Sequence, residues 1–258
     1  MDFKNKTAFI TGGGSGIGEA AAIALAARGA HVVIGDVNLE NASQVANKIL
    51  SQGGKAIALA IDVSDANSVD SAFKKAEDWY GDTTNLLLNS AGILGIHAFI
   101  DYPLDLFNKV MTINVTGTFL CSQRASQSMV KAGFGRIVNV ASVSAERAGI
   151  GRTAYGTSKA AMVGLTKQLS MELGPHGITS NAIAPGPVLT PLTAASYTPE
   201  TIEAYTSMIP ARRLGQLDDM TSAILFLLSD GAAYINGAYL PVDGGYLASG
   251  VSKTGKLN

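Results

Sequence analysis

Tyr155 and Lys159 lie four residues apart in the segment TAYGTSKAA, and Ser142 ends an apolar run thirteen residues before the tyrosine. Residues at positions i and i+4 of a helix share one face, so the ammonium of Lys159 can approach the phenol of Tyr155. A free tyrosine, with a pKa of about 10, is too weak an acid to protonate an alkoxide efficiently at neutral pH, and a neighbouring cation lowers that pKa. The three residues therefore predict a proton-transfer site, although Y-x-x-x-K alone also occurs as a solvated pair on many helices.

A glycine-rich loop near the start of the chain could hold a phosphate group. The segment TGGGSGIG at 11–18 follows a β-branched run and precedes a helical pattern, which is the context that a dinucleotide-binding loop requires. Glycines let backbone N–H groups and the helix N-terminus approach a pyrophosphate. The loop lacks the Gly-Lys-Ser/Thr ending of a P-loop, so a kinase or ATPase is disfavoured. A turn that serves only packing remains the alternative.

Asp36 ends the next β-branched run, about 18 residues after the last glycine of the loop. At this distance a carboxylate can accept hydrogen bonds from both hydroxyls of an adenosine ribose. It would repel a 2′-phosphate, and Ser15, Val37 and Asn38 supply no compensating cation. Asp36 therefore predicts NAD rather than NADP as the cofactor, with a simple strand-end aspartate as the alternative.

Short β-branched runs alternate with helical patterns along the chain, which is typical of a parallel sheet with helices between its strands. Strands are predicted at 7–11, 31–35, 56–61, 86–89, 136–142, 178–184 and 238–242. Helices are predicted to end at 28 and 50 and to span 66–80, 104–131, 153–174 and 218–229. We predict an α/β fold, a single-domain Rossmann-type doubly wound parallel sheet of about seven strands with helices on both faces. The domain is predicted to span 1–248, with a substrate lid at 187–213 and a polar tail at 249–258.

The composition disfavours several classes of function. The 19 basic and 20 acidic residues nearly cancel, so no basic field is available for nucleic acid. No apolar stretch reaches the roughly 18 residues needed to span a membrane. The only cysteine is Cys121, and His31, His97 and His176 lack metal-ligand spacing, so no disulfide and no metal site are predicted. The first residues show no signal-peptide pattern, and cytoplasmic localisation is expected.

The residues that could do chemistry all follow predicted strands. In an open parallel sheet, ligands bind at the carboxyl ends of the strands, where the strand order reverses. At this edge lie the glycine loop after the first strand, Asp36 after the second, Asp62 after the third, 89–92 after the fourth, Ser142 after the fifth and 185–186 after the sixth. This coincidence of six positions indicates a dinucleotide-binding enzyme more strongly than any single motif does.

Together these residues resemble the classical short-chain dehydrogenase/reductase family over residues 6–246. The resemblance rests on the glycine loop, Y-x-x-x-K, Asp36, Asp62, the N-x-A-G at 89–92, Asn114 in MTINV, Ser142, PGPVLT at 185–190 and VDGG at 242–245. The chain departs from the family pattern at Asn85, where Asp is usual, and at Ser90, where Asn is usual. These departures concern hydrogen bonds within the sheet rather than the chemistry.

The resemblance implies a role for each catalytic residue. Tyr155 would be the general acid in carbonyl reduction and the base in alcohol oxidation, while Ser142 would hold the substrate oxygen. Lys159 would bind the nicotinamide ribose and lower the pKa of Tyr155. Asn114, in a bent part of its helix, would hold a water that links Lys159 to solvent. The implied activity is NAD-dependent hydride transfer between a secondary alcohol and a ketone.

The resemblance also implies the walls of the site. The cofactor would contact Gly12, Ser15, Gly16, Ile17, Gly18, Asp36, Asp62, Val63, Asn89, Ala91, Gly92, Tyr155, Lys159, Pro185, Gly186, Val188 and Thr190. A mostly apolar substrate pocket would be lined by Val143, Ser144, Leu94, His97, the region of Gly149, and the lid residues Leu192, Tyr197, Tyr205 and Met208. Arg147, Arg152, Arg212 and Arg213 lie near loop ends and could hold an anion, although solvated loop arginines are expected.

The helix that carries Tyr155 has small and apolar residues on more than one face, so it could pack on a partner as well as on its own sheet. The resemblance implies a homotetramer, and a deeply buried helix in a monomer is the alternative. Two other functions stay open. One is a 3-oxoacyl thioester reductase of fatty-acid synthesis, against which Asp36 and the near-neutral charge argue. The other is a catalytically idle nucleotide-binding sensor, which the complete set of catalytic residues disfavours.

Overall fold

The protein forms one seven-stranded parallel sheet in a computed structural model that describes residues 1–81 and 83–250. Its strands are β1 Thr7–Thr11, β2 His31–Asp36, β3 Lys55–Ala60, β4 Leu86–Asn89, β5 Gly135–Val140, β6 Ile178–Pro185 and β7 Tyr239–Val242. They are ordered β3-β2-β1-β4-β5-β6-β7, so the strand order reverses between β1 and β4. The predicted Rossmann-type α/β fold is confirmed.

Eight α-helices connect and cover the strands in the described part of the chain. They are α1 Gly16–Ala26, α2 Leu39–Ser51, α3 Ala66–Tyr80, α4 Leu104–Met111, α5 Gly117–Ala132, α6 Thr153–Leu173, α7 Pro199–Met208 and α8 Leu217–Leu228. Strand β1 illustrates how helices pack on both faces of the sheet. Ile10 packs with α1, α2 and α8 on one face, whereas Phe9 stacks at 4.1 Å on Phe73 of α3 on the other. Side chains of a strand alternate between faces, so a strand that is apolar throughout must be buried on both.

Residues at the ends of three helices have conformations and hydrogen bonds typical of caps. Gly29 and Gly53 follow α1 and α2 with φ values of 91° and 80°, a region that favours glycine. Asp65 caps α3 by accepting a hydrogen bond from the Asn67 N–H. Asn85 accepts from the Thr7 N–H at 3.0 Å, so this departure from the family pattern still ties β1 to β4.

Two segments differ from the sequence prediction. The long helix predicted at 104–131 contains a π-helical segment, Thr112–Thr116, between α4 and α5. The lid at 187–213, predicted to be irregular, contains α7, which Thr198 caps and which begins with Pro199. Its Thr- and Ala-rich sequence lacks the strong apolar periodicity that would have predicted a helix. No helix among the described residues is both long and apolar enough to cross a membrane.

One predicted segment is described only in part. The polar tail predicted at 249–258 extends beyond the described residues from 251 onward. Ser249 accepts a hydrogen bond from Arg147 at 3.3 Å, so the first residue of that segment is held against the domain.

Candidate active site

A single continuous cavity of about 790 Å³ runs along the carboxyl ends of the strands. Its lining comes from the segments that follow β1 to β6, as expected where the strand order reverses. It contains these predicted site residues: Gly12, Ser15, Gly16, Ile17, Asp36, Asp62, Val63, Ala91, Gly92, Ser142, Ser144, Tyr155, Lys159, Pro185, Gly186, Val188, Thr190 and Leu192. Gly18, Asn89, Leu94, Asn114 and Met208 do not line it. The tertiary structure thus gathers most of the predicted positions in one cleft.

The glycine loop leaves no room for a side chain at Gly12 or Gly18. A Cβ at Gly12 would lie 2.7 Å from the Ala91 Cα, and one at Gly18 would lie 2.2 Å from the Gly12 carbonyl oxygen. Gly18 therefore supports the loop from beneath instead of lining the cavity. Ser15 is the N-cap of α1 but makes no side-chain capping bond, so its side chain does not occupy the N–H groups of the first turn. This bare helix N-terminus and the close-packed glycines suit the pyrophosphate of a dinucleotide.

Asp36 is held in place by two backbone groups. Its Oδ2 accepts a hydrogen bond from the Gly14 N–H and its Oδ1 accepts one from the Asn38 N–H, both at 2.9 Å. Each carboxylate oxygen retains a further lone pair with which to accept a ligand hydroxyl. Asp62 lies farther along the same wall, and hydrogen bonds from the Ser64 hydroxyl and N–H lower the pKa of its carboxyl. Both carboxylates are thereby fixed at the end of the cavity formed by β2 and β3.

Ser142, Tyr155 and Lys159 meet in the middle of the cavity. Ser142 follows β5 and is 7% exposed, while Tyr155 and Lys159 project from α6. The Lys159 ammonium donates to the Val140 carbonyl at 2.7 Å and lies 5.5 Å from the centre of the Tyr155 ring. A serine hydroxyl, a phenol and an ammonium around one space can bind an oxygen and transfer a proton to it.

The pKa of Tyr155 does not follow the sequence expectation. Burial raises the pKa of this phenol, and the Ser142 hydrogen bond and the Arg152 charge offset that rise only in part. Burial also lowers the pKa of Lys159 to about 8. Both shifts share one cause, because removal from water disfavours the charged form of either group. In the protein without cofactor, Lys159 therefore does not produce the net lowering of the Tyr155 pKa that the resemblance implies.

Asn114 lies in the π-helical segment and is completely buried. Its Oδ1 accepts from the Ile93 N–H at 2.8 Å, and its Nδ2 donates to the Ile93 carbonyl at 3.1 Å and to the Ser158 hydroxyl at 3.0 Å. Ser158 in turn donates to the Tyr155 carbonyl at 2.7 Å. The side chain of Asn114 thus connects the loop after β4 to α6 at the point where the helix is interrupted.

Asn89 belongs to a buried network behind the cavity. Its Nδ2 donates to Ser122 at 3.0 Å and to the Asn139 Oδ1 at 2.8 Å, and Asn139 donates to Thr166 at 2.9 Å. These bonds join β4 and β5 to α5 and α6. In this position Asn89 supports the cavity floor rather than lining the cofactor wall.

The substrate end of the cavity differs from the prediction. Leu94 is half-buried outside the lining, and the Met208 sulfur lies 3.8 Å from the Arg147 guanidinium. The predicted Ser144, Leu192, Tyr197 and Tyr205 do line the cavity, together with Arg147, Arg152 and Tyr246. Tyr246 was not predicted to line the site, although it directly follows the VDGG motif, which was the available signal. No group of three His, Cys, Asp or Glu side chains in the described residues could hold a metal ion.

Comparisons with known proteins agree with this geometry. A family model described as enoyl-(acyl carrier protein) reductase matches residues 12–247. The chain is 39% identical over 241 residues to 2,5-dichloro-2,5-cyclohexadiene-1,4-diol dehydrogenase of Sphingobium indicum, covering 93% of this chain and 96% of that protein. It is 38% identical over 247 residues to an L-rhamnose 1-dehydrogenase (NAD(P)(+)) of Azotobacter vinelandii, with the same two coverages.

The solved structure of a putative short-chain alcohol dehydrogenase from Sinorhizobium meliloti superposes with a TM-score of 0.92 at 36% identity, covering 96% of this chain and 98% of that one. Sequence similarity and shape therefore extend over nearly the whole length of these oxidoreductases. With its glycine loop, its Ser–Tyr–Lys constellation and these relatives, the chain belongs to the short-chain dehydrogenase/reductase family.

Proposed function

We propose that the protein is an NAD-dependent oxidoreductase that interconverts a secondary alcohol and a ketone, with Tyr155 as general acid and base. The observation that carries this proposal is the meeting of Ser142, Tyr155 and Lys159 in the cavity that also contains the glycine loop and Asp36. The dehydrogenases described above support the oxidoreductase class. The alcohol or ketone, the direction of reaction and NAD itself are part of the proposal.

The chemistry follows from the positions of the side chains. A bound nicotinamide cofactor would supply the hydride in reduction and accept it in oxidation. Ser142 donates a hydrogen bond to the substrate oxygen, and Tyr155 gives that oxygen a proton as negative charge develops on it. Lys159 provides a buried positive charge beside them, and Asn114 fixes α6 against the loop after β4. In oxidation Tyr155 removes the proton instead.

The direct test is a nicotinamide absorbance assay of the wild type with NADH and NADPH. The substrate panel contains cyclic diketones, aliphatic and aryl ketones, keto-sugars and an acetoacetyl thioester. We expect turnover of at least one ketone with NADH. An enzyme that bound NADH but reduced none of these substrates would contradict the proposal as stated.

Asp36 is the group we propose to select NAD. We expect Asp36→Ala to weaken NAD binding by about 10- to 100-fold, the loss expected for hydrogen bonds to a charged acceptor, and to improve NADP binding relative to NAD. Equilibrium titration by nicotinamide fluorescence would measure both affinities. Asp78→Ala, which removes an exposed carboxylate from α3, is the control. Unchanged NAD affinity in Asp36→Ala would show that this carboxylate does not bind the ribose.

Two other functions remain as alternatives. A 3-oxoacyl thioester reductase of fatty-acid synthesis has some support in the acyl carrier protein description of the matching family model. A reductase of this kind should prefer the acetoacetyl thioester as substrate and NADPH as cofactor. A catalytically idle nucleotide sensor would bind cofactor yet show no activity that depends on Tyr155.

We further propose a homotetramer in the cytoplasm, with α6 at an interface between subunits. The outer face of α6 exposes the small residues Ala160 and Gly164 and the apolar Met171, which is 76% exposed. Small residues let two helices approach closely, and an uncovered apolar face favours a partner. The single Cys121 is free and buried, as suits a reducing compartment.

Gly164 offers a test of this assembly, because a side chain there has no neighbour within 4 Å in the subunit. We expect Gly164→Arg to convert tetramers into smaller species without unfolding the subunit. Light scattering coupled to size-exclusion chromatography would measure the mass. Gly250→Arg, also at an open position, is the control. A wild type that is a monomer at working concentration would contradict the tetramer.

A further inference from the structure

Two guanidinium groups face the substrate end of the cavity without a carboxylate partner. Arg147 and Arg152 both line the cavity and are both half-buried. Neither forms an ion pair in the part of the chain that the structure describes. The acidic residues of the lining, Asp36 and Asp62, follow β2 and β3. Strand β5, which leads to Ser142, lies three positions from β2 in the sheet, or about 14 Å at the usual strand spacing.

Arg147 has an evident structural role. Its Nη1 donates to the Tyr246 carbonyl at 2.7 Å, and its guanidinium lies 4.2 Å from the centre of the Tyr246 ring. It also contacts the Met208 sulfur, so it connects the loop after β5 to the lid and to the C-terminal segment. These contacts use the donors of Arg147 but leave its charge uncompensated.

Arg152 has no comparable structural role. It immediately precedes α6, where the positive end of the helix dipole opposes a cation, and it makes no side-chain capping bond. Its side chain packs beside Gly149, where a Cβ would lie 3.1 Å from the Arg152 Cδ. The glycine thus leaves room for the guanidinium three residues before Tyr155. A cation in this position costs stability unless a ligand compensates it.

Aromatic residues of the 187–213 segment and Tyr246 line the same cavity as Arg152. Tyr197 is 9% exposed, and its ring lies 5.4 Å from that of Tyr205, which in turn lies 6.0 Å from that of Tyr246. Burial raises the pKa of Tyr197 to about 12, and the nearby charge of Arg152 offsets part of that rise. An aromatic enclosure lowers the local dielectric constant and strengthens the attraction between a guanidinium and an anion.

We propose that Arg152 binds a carboxylate on the substrate, so that the enzyme acts on hydroxy acids and the corresponding keto acids. The guanidinium presents paired N–H donors that match the two oxygens of a carboxylate. The substrate lies between Arg152 at one end and Ser142 and Tyr155 at its reacting carbon. This inference rests on the proposed function for the reaction but not for the binding of the anion.

The test compares each acid with its methyl ester, which removes the charge and changes the shape little. The probes are 3-, 4- and 5-oxohexanoate and their methyl esters for turnover with NADH, and the corresponding hydroxy acids and esters for binding to the NAD complex. We expect the wild type to prefer one acid over its ester by at least about 10-fold in kcat/KM. In Arg152→Gln that preference should disappear, because activity on the acid should fall much further than activity on the ester. Arg28→Gln, at an exposed arginine after α1, is the control.

Binding measurements test the carboxylate subsite independently of the proposed oxidoreductase reaction. Isothermal titration should detect a hydroxy acid in the wild type and about 10- to 100-fold weaker binding in Arg152→Gln. Equal binding of acid and ester by the wild type, equal losses for both in Arg152→Gln, or no binding of any acid would overturn the carboxylate subsite. Arg152-dependent binding without turnover of any acid or ester would support the subsite and contradict the proposed reaction.

Discussion

Replacement of Tyr155 by Phe is expected to lower kcat by about 10³-fold while the affinity for NADH changes by no more than a few-fold. The phenol hydroxyl is the group that we propose to exchange a proton with the substrate oxygen, and a positioned acid or base typically contributes 10² to 10⁴ in rate. Phe keeps the ring, so the packing of α6 should be preserved. Single-turnover reduction of the best ketone, followed by NADH absorbance, would measure the chemical step directly.

Tyr234→Phe provides a matched control, because Tyr234 is 103% exposed and lies outside the cavity. It should have wild-type activity. If Tyr155→Phe retained more than about a tenth of the wild-type rate in single turnover, Tyr155 could not be the proton donor.

Replacement of Lys159 by Met is expected to abolish most activity and yet stabilise the cofactor-free protein at neutral pH. Burial lowers the pKa of Lys159 from 10.5 to about 8, so the unfolded chain holds this proton more tightly than the folded protein does. The cost is fully present below pH 8, decreases as the pH rises toward 10.5, and amounts to roughly 3 kcal/mol. Loss of the hydrogen bond to Val140 offsets about 1 kcal/mol of the gain.

Urea denaturation at pH 7 and near pH 10 would test both the sign and the pH window. The free energy of unfolding of Lys159→Met should exceed that of the wild type by about 2 kcal/mol at pH 7, and the difference should shrink or reverse near pH 10. Lys167→Met, which removes an exposed ammonium from the same helix, should show neither effect. If Lys159→Met were less stable than the wild type by the same amount at both pH values, burial of the ammonium would not lower the free energy of unfolding.

The burial of Lys159 lowers the stability of the protein but places its ammonium in the candidate site. The protein buries an ammonium and a phenol beside each other, and neither group is in its preferred environment for charge. Such groups are expected where function rather than stability selects the residue. The Lys159 ammonium keeps a hydrogen bond to the Val140 carbonyl, and the Asn114–Ser158 link holds the helix that carries both groups.

Local features of the sequence are enough to predict the strands and the sheet edge at which the candidate site residues lie. Strands β1 to β7 are short apolar runs, and parallel pairing puts their carboxyl ends on one edge, so the glycine loop, Asp36 and Ser142 had to lie near one another. The Tyr155–Lys159 spacing places both on one face of a helix for the same kind of reason, namely that helical periodicity is local. Such features depend on neighbours along the chain and can be predicted without tertiary information.

Features that depend on contacts between residues distant in the sequence could be found only from the tertiary structure. Burial raised the pKa of Tyr155, because the environment of a phenol is set by everything packed around it. Asn89 and Gly18 lie behind the cavity wall. Helix α7 forms within the 187–213 segment, whose sequence has weak apolar periodicity. Arg147 was tied to Tyr246, 99 positions away, while Arg152 was left facing the cavity. Residues far apart in sequence determine which charges are paired, and that pairing cannot be read from spacing alone.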